Sequence, residues 1–351
     1  MSGWSRLDLL RGAVTWVILG VLLGALLVVL SVAGTTSMVR TATNFLLLVG
    51  LVVGVQVFVG NSGIVSFGHV AFAGIGAYLT AILTIPVDIR ETALPDLPGL
   101  LATASPGPVV AILIAAVAAA VVALILGGAL TRMDEAAMAM ATLAVLVMGH
   151  TVFANWETVT RGTIGLYGVP RSIGQIGALA GVLCVIASAL AFAASPTGRK
   201  LRAVRDDPTA GATLGINTAR VRLGGWVVSA FLTGLAGGLW SQYNLAFGPD
   251  QFYYVDMFTL LSMLVIGGLG SVAGAVVGAA VVTLVSELGR ELEAGLRLGG
   301  IALRELPGAG QLAIAVVTLA LLILRPTGLT RGREAADWFA RRRIERSGQV
   351  R

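Results

Sequence analysis

The 351-residue chain is poor in what a water-exposed protein of its size needs. Charged residues make up 12% of it, against about 25% in soluble domains. A single cysteine, Cys184, excludes an intrachain disulfide and any cysteine-based metal site. His69 and His150 lie on different segments, and two isolated imidazoles do not build a metal centre. The one lysine, Lys200, sits among arginines, and no Gly-x-x-x-x-Gly-Lys-Ser/Thr run occurs. The chain therefore has no phosphate-cradling loop of its own. Ionisable groups are also scarce in the apolar blocks: Glu287 lies near a predicted helix end, and Asp134 and Glu135 at a turn. That scarcity argues against an ion-coupled carrier, which would place such groups inside its spans.

What is present is hydrocarbon. Hydrophobic residues are 56% of the chain and the mean hydropathy is +0.90. They come in long blocks such as Val109–Leu130 and Ile176–Ala194, near the roughly 20 residues a spanning helix requires. The expected fold is an all-α polytopic membrane protein with about ten transmembrane helices. They fall near 13–33, 42–60, 64–84, 108–130, 136–154, 176–194, 223–246, 256–269, 271–289 and 309–324. The first apolar stretch is too long for a signal peptide and lacks a convincing cleavage site, so it reads as a retained helix.

Two placements stay open. Segment 64–84 is Gly-rich and either spans, breaks or re-enters. Segments 256–269 and 271–289, joined at Gly267-Gly268-Leu269-Gly270-Ser271, are two spans or one kinked span. The 46 glycines favour close helix packing. Cys184 reads as a small core residue. Trp156, Tyr167, Trp226, Trp240, Tyr243, Tyr253 and Tyr254 fall near span ends, as interfacial anchors do.

The pI near 10.2 does not point to nucleic acid, because the basic residues lie between or beyond apolar blocks. Arg199, Lys200, Arg202, Arg205 and the segment 331–351 read as topology signals facing anionic headgroups. With ten crossings, the termini and the loops on their side hold 17 of the 24 Lys+Arg and the opposite loops hold 7. Both termini are therefore expected in the cytoplasm.

The loop 195–222 is unlike the others. It is too long for a simple connection, and its punctuation predicts two short helices. Asp207 suits an N-cap, Pro208 a first helical turn, Gly215 the left-handed position after a helix, and Asn217 the cap of the next span. Such an elbow is a docking element or an amphipathic stretch held by headgroups.

These residues carry a resemblance. Gly198-Arg199-x-Leu201-Arg202-Ala203-Val204-Arg205-Asp206-Asp207, followed by Leu214-Gly215-Ile216-Asn217, resembles the coupling loop of permeases in ABC importers for branched-chain amino acids. The run from Gly63 to Tyr78, with Ser66, Gly68 and His69, resembles the signature of the M-type (LivM-like) permease subunit. The run from Gly267 to Ala279 resembles the Gly-rich hairpin late in both permease types, and Thr160–Leu166 the family's external Gly-rich segment. The likeness covers about residues 45–329. Gly211 departs from the alanine more usual there, and loop 86–107, with four prolines, is long for the type.

The resemblance implies a type II-like permease domain over 13–330, between a cytoplasmic N-terminus (1–12) and a basic cytoplasmic tail (331–351), in a bacterial inner membrane. It implies a second homologous permease, two ABC ATPase subunits and an extracytoplasmic solute-binding protein as partners, with no cofactor and no nucleic acid. Candidate pathway residues are Asn61, Ser66, His69, Thr163 and Gly165. Candidate ATPase-coupling residues are Arg202, Arg205, Asp206, Asp207, Pro208, Leu214, Gly215 and Ile216, and candidate hinge residues are Gly267, Gly268 and Gly270. His150 reads as structural. The same fold carrying urea, short amides or other small polar solutes is the alternative, and an ion-coupled carrier a more distant one.

The charge asymmetry makes a direct prediction. Reporter fusions at residues 100 and 340 should report opposite sides of the membrane, with residue 340 cytoplasmic. Fusions reporting the same side would refute the ten-span arrangement.

Overall fold

In hydrocarbon no water pairs with a free backbone amide, so each spanning segment must satisfy its own N–H and C=O groups. The chain does so almost entirely with helices. A computed structural model describes residues 6–293, 297–298, 301–302, 308–325 and 327–337. Its helices are α1 (Arg6–Ala33), α2 (Thr36–Ser62), α3 (His69–Thr84), α4 (Val87–Ala93), α5 (Gly99–Thr103), α6 (Pro108–Leu130), α7 (Glu135–Asn155) and α8 (Glu157–Thr160). Then follow α9 (Gln175–Ala194), α10 (Pro196–Asp206), α11 (Pro208–Thr213), α12 (Thr218–Ser241), α13 (Tyr254–Gly267), α14 (Val272–Glu293) and α15 (Ala309–Leu324). The strands β1 (Leu166–Tyr167) and β2 (Ala246–Phe247) pair antiparallel and join two loops at one end of the bundle.

Seven of these helices are long and apolar enough to cross a membrane, and eight if the bent pair α3–α4 counts as one. The expected ten is reached only by adding α15, with 16 residues, and α13, with 14. At 1.5 Å per residue, α13 covers about 21 Å of a ~30 Å core. The Gly-rich segment beginning at residue 64 is a coil to residue 68 followed by α3, which meets α4 at 117°. The stretch 256–289 is a hairpin. The Met263 carbonyl packs on Gly278 and Gly267 on the Gly274 carbonyl, a pairing that only two antiparallel helices give. The basic residues beyond 337 lie outside the described residues.

Burial separates centre from rim. The most apolar stretch of α2 is 89% buried and that of α12 61%, against 22% in α1 and 28% in α7. Helices α2, α3 and α12 form the core. The large exposed residues of α1 and α6, such as Val21, Val29, Val117 and Ile125, form a lipid-facing rim. Packing rather than water exclusion must join helices in lipid, and small residues allow it. A Cβ at Gly76 would fall on the backbone of Gly234, and one at Gly237 on that of Ala73.

Two sequence readings change. Trp226 is no interfacial anchor: it is fully buried against Phe58 and Phe72 and donates to the Ala123 carbonyl at 3.1 Å. Tyr243 is likewise buried. Cys184 lies on the exposed face of α9 rather than in the core. In both cases helical phase, set by which neighbours a helix meets, decides the outcome.

Gly76→Val should therefore cost about 1–3 kcal/mol or prevent accumulation. Gly128→Ala, where a Cβ meets nothing within 4 Å, should stabilise by about 0.5–1 kcal/mol. Thermal unfolding of the detergent-purified chain reads both, and equal effects would show that α3 and α12 are not in close contact.

Candidate functional site

The elbow is built from caps. The Ser195 hydroxyl accepts from the Gly198 amide at 3.1 Å and starts α10. The Asp207 carboxylate accepts from Thr209 and Ala210 at 2.8 and 2.9 Å and starts α11. Gly215, at φ +75°, ends α11: its amide donates to Ala212, and the Ile216 amide donates back to Gly211 at 3.1 Å. Asn217 caps α12 through the Arg220 amide at 3.0 Å. Gly211 lies against Val204, and an added Cβ would come within 3.1 Å of it. The residue that departs from the family's alanine thus lets α10 and α11 fold closely together.

The elbow's residues divide by direction. Leu201 and Val204 are buried beneath α10. Arg202 donates to Asn61 Oδ1 at 2.8 Å and Arg205 to the Gly60 carbonyl at 2.7 Å, both at the C-terminal end of α2. Two cations thus sit where the helix dipole and the unpaired carbonyls favour them. Gly63 follows in the left-handed conformation, at φ +76°, and a Cβ there would lie 2.6 Å from Arg205 Cγ. Asp206, Asp207, Pro208 and Leu214 are exposed, Leu214 at 77%.

Further contacts bind the same end of the bundle. Arg222, at the start of α12, pairs with Glu135 at 2.9 Å and donates to the Met133 carbonyl at 3.3 Å. Glu334 accepts from the Val272 and Ala273 amides at 2.8 and 3.2 Å and so caps α14. Burial raises the Glu334 pKa, while those two amides and nearby Arg202 pull it down. Thr330 donates to the Gly267 carbonyl at 2.8 Å, and Leu329 to that of Ile266 at 2.9 Å. Gly268, at φ +107°, turns the hairpin. Gly270 packs near Gly332. The Gly267–Gly270 turn is therefore held by residues 327–334.

The five candidate pathway residues do not converge. Asn61, Ser66 and His69 are all at the elbow end and at most 4% exposed. His69 Nδ1 meets Ser66 Oγ at 2.7 Å, and its ring is boxed by Phe58, Phe72 and Trp226. Thr163 and Gly165 follow α7 and α8 at the opposite end. Thr163 is exposed there, and Gly165, at φ +79°, packs on the Phe247 carbonyl. Among the described residues no group of His, Cys, Asp and Glu could hold a metal.

Two spaces matter. A cavity of about 430 Å³ between α3, α6 and α7 is walled by Phe72, Ile75, Ile82, Val122, Met148 and similar side chains, and offers a charged solute nothing to bind. A crevice of about 40 Å³ contains Asp256, in the first turn of α13. Asp256 stands at the first position of the expected span 256–269. An acidic residue within a span is itself a functional signal. His150 meets Asp250 at 3.1 Å and stacks on Tyr253.

The profile of the family described as "Branched-chain amino acid transport system / permease component" matches residues 37–324. The chain is 25% identical over 299 residues to the high-affinity branched-chain amino acid transport system permease protein LivM of Salmonella typhimurium, covering 75% of this chain and 66% of the relative. The LivM protein of Escherichia coli gives the same identity and coverage. A probable branched-chain amino acid transport permease protein LivH of Methanocaldococcus jannaschii is 24% identical over 194 residues, 55% of this chain and 56% of that protein. The matched region thus spans about two thirds of the length of the LivM relatives. No solved structure matches the chain.

A double-mutant cycle on Arg202→Ala and Asn61→Ala should return a coupling of about 1–3 kcal/mol in thermal stability. Strictly additive effects would mean that the clamp between α10 and α2 is not formed.

Proposed function

The chain belongs to the family of branched-chain amino acid transport system permease components, and from that premise we propose that it is the membrane-embedded permease subunit of an ATP-binding-cassette importer for branched-chain or related amino acids. It works in the bacterial cytoplasmic membrane with both termini in the cytoplasm. Its partners are a second, homologous permease, two cytoplasmic ATPases and an extracytoplasmic solute-binding protein. The missing phosphate loop places ATP hydrolysis in the ATPases.

The observation that carries the reading is the capped elbow with one side bound and the other bare. Arg202 and Arg205 fasten α10 to α2, while Pro208 and Leu214 face outward. An ATPase that grips α11 therefore acts on a rigid piece already joined to a central helix. Closure of the ATPases on ATP moves the elbow; α2 follows it through the two arginine clamps, and α12 because it continues directly from the elbow at the Asn217 cap. The pathway then reorients from inward- to outward-facing and receives solute from the binding protein.

Asp207→Ala should cost about 1 kcal/mol through the lost cap. Gly215→Val should cost about 1–2 kcal/mol, all of it backbone strain because a Cβ there meets open space. In the reconstituted complex the double variant should lose about tenfold or more of both transport and substrate-stimulated ATPase activity. Solute affinity of the binding protein should be unchanged. A double variant that assembles and transports like the parent would refute the coupling role.

A further inference from the structure

The Asp256 carboxylate occupies an unusual place for a charge. Its crevice is walled by Leu48 and Leu51 of α2 and Val70 and Ala73 of α3. Leu48 and Leu51 lie midway along the 27-residue α2, which crosses the bundle from end to end, so Asp256 sits near mid-depth. Phe252, just before α13, confirms the level by packing on Gly74, 3.2 Å from where a Cβ would stand. Helix α13 thus begins inside the membrane, which accounts for its 14 residues.

Among the described residues the Asp256 carboxylate has no ion pair and no hydrogen bond, and no Lys, Arg or His lines the crevice. The two other polar side chains there are partly committed. Thr259 donates its proton to the Val255 carbonyl at 2.8 Å, and Gln251 Oε1 accepts from the Gly248 amide at 2.6 Å. That leaves oxygen lone pairs on Thr259, which lines the same crevice as the carboxylate, whereas the free –NH₂ of Gln251 is a donor and holds no cation. An acid at this depth is expensive and marks a substrate or ion pathway. The crevice volume, about 40 Å³, exceeds the ~10–15 Å³ that one water-sized group needs. It admits an –NH₃⁺ group.

We propose that Asp256, with Thr259, forms a mid-membrane binding site for a primary ammonium group. The assignment rests on the permease reading, which identifies that group as the α-ammonium of the amino acid in transit. One carboxylate holds the cationic end, while the apolar walls of α2 and α3 lie beside the solute's hydrocarbon. A single charged contact of this kind guides a zwitterion without trapping it.

The test uses the full importer complex in proteoliposomes, with uptake of radiolabelled leucine and of radiolabelled urea measured in sodium-containing and sodium-free buffer. The parent should take up leucine, independently of sodium. Asp256→Asn should lower leucine uptake at least tenfold while ATP-stimulated closure and co-purification with the partners stay as in the parent. If the Asn variant does not assemble, Asp256→Glu keeps the charge and shifts it by one methylene. It should then raise the KM for leucine severalfold with little change in ATPase activity. Leucine uptake at parental rate and KM in a variant that assembles would overturn the assignment. Sodium-dependent uptake in the parent that loses its sodium dependence in the variant would also overturn it, in favour of a small inorganic cation. A parent that carries urea and not leucine would fail at the permease reading itself, since urea brings no ammonium group, and that failure is visible before any variant is made.

Discussion

Within a bilayer an unpaired polar group has no water to turn to, and most of this structure follows from how each polar group is paired. The backbone pairs with itself in helices. The ends of those helices, where four carbonyls or four amides lack helical partners, are the places that need other chemistry. At the elbow end that chemistry is arginine and glutamate: Arg202 and Arg205 close α2, Arg222 holds the α6–α7 turn to α12, and Glu334 closes α14. At the opposite end the short β1–β2 ribbon and Arg90 serve the same purpose. The Arg90 side chain is buried and donates to the Ile85, Leu101, Ala102 and Ala104 carbonyls. One guanidinium therefore folds the long proline-containing loop over the bundle.

The same constraint sorts the interior spaces. The larger cavity has the volume for a small solute but no group to replace the solvation of a carboxylate or an ammonium. The small crevice has the group and little volume. Size alone would have selected the wrong space.

Local chemistry was legible in the sequence and tertiary direction was not. The positions of Asp207, Gly215 and Asn217 around the elbow follow from capping preferences that act within three or four residues, and the structure places helix ends there. The direction of Arg202 and Arg205 toward α2 depends on a partner more than 140 residues away in sequence, and no local pattern encodes it. Trp226 and Cys184 were misjudged for the same reason, because an apolar helix carries little periodic signal about which face meets protein and which meets lipid. The number of crossings was blurred by length: a helix that starts at mid-depth is neither a full span nor a loop. Gly267, Gly268 and Gly270 were readable as a hinge, between two spans or within one kinked span, but the clamp on it by Thr330 required the chain to return after α15.

The elbow and Asp256 stand at different depths, yet the contacts between them are contiguous. Arg202 lies near Glu334, which caps α14. Helix α14 packs on α13 backbone to backbone at Gly278 and Gly267, with no side chain between them to absorb a displacement. The turn joining the two helices is held by Thr330 and lies within 3.5 Å of the Gln56 amide of α2. A hairpin packed in this way moves as one piece or not at all, because close-packed backbones have discrete fits rather than continuous ones. A push on α10 would therefore reach α2 through the arginine clamps and the base of the hairpin through Glu334. Leu48 and Leu51 of α2 form one wall of the Asp256 crevice, and α13 carries Asp256 as the other. A small difference between those two movements would change the width of a space of about 40 Å³, and with it the hold of the carboxylate on the proposed ammonium group.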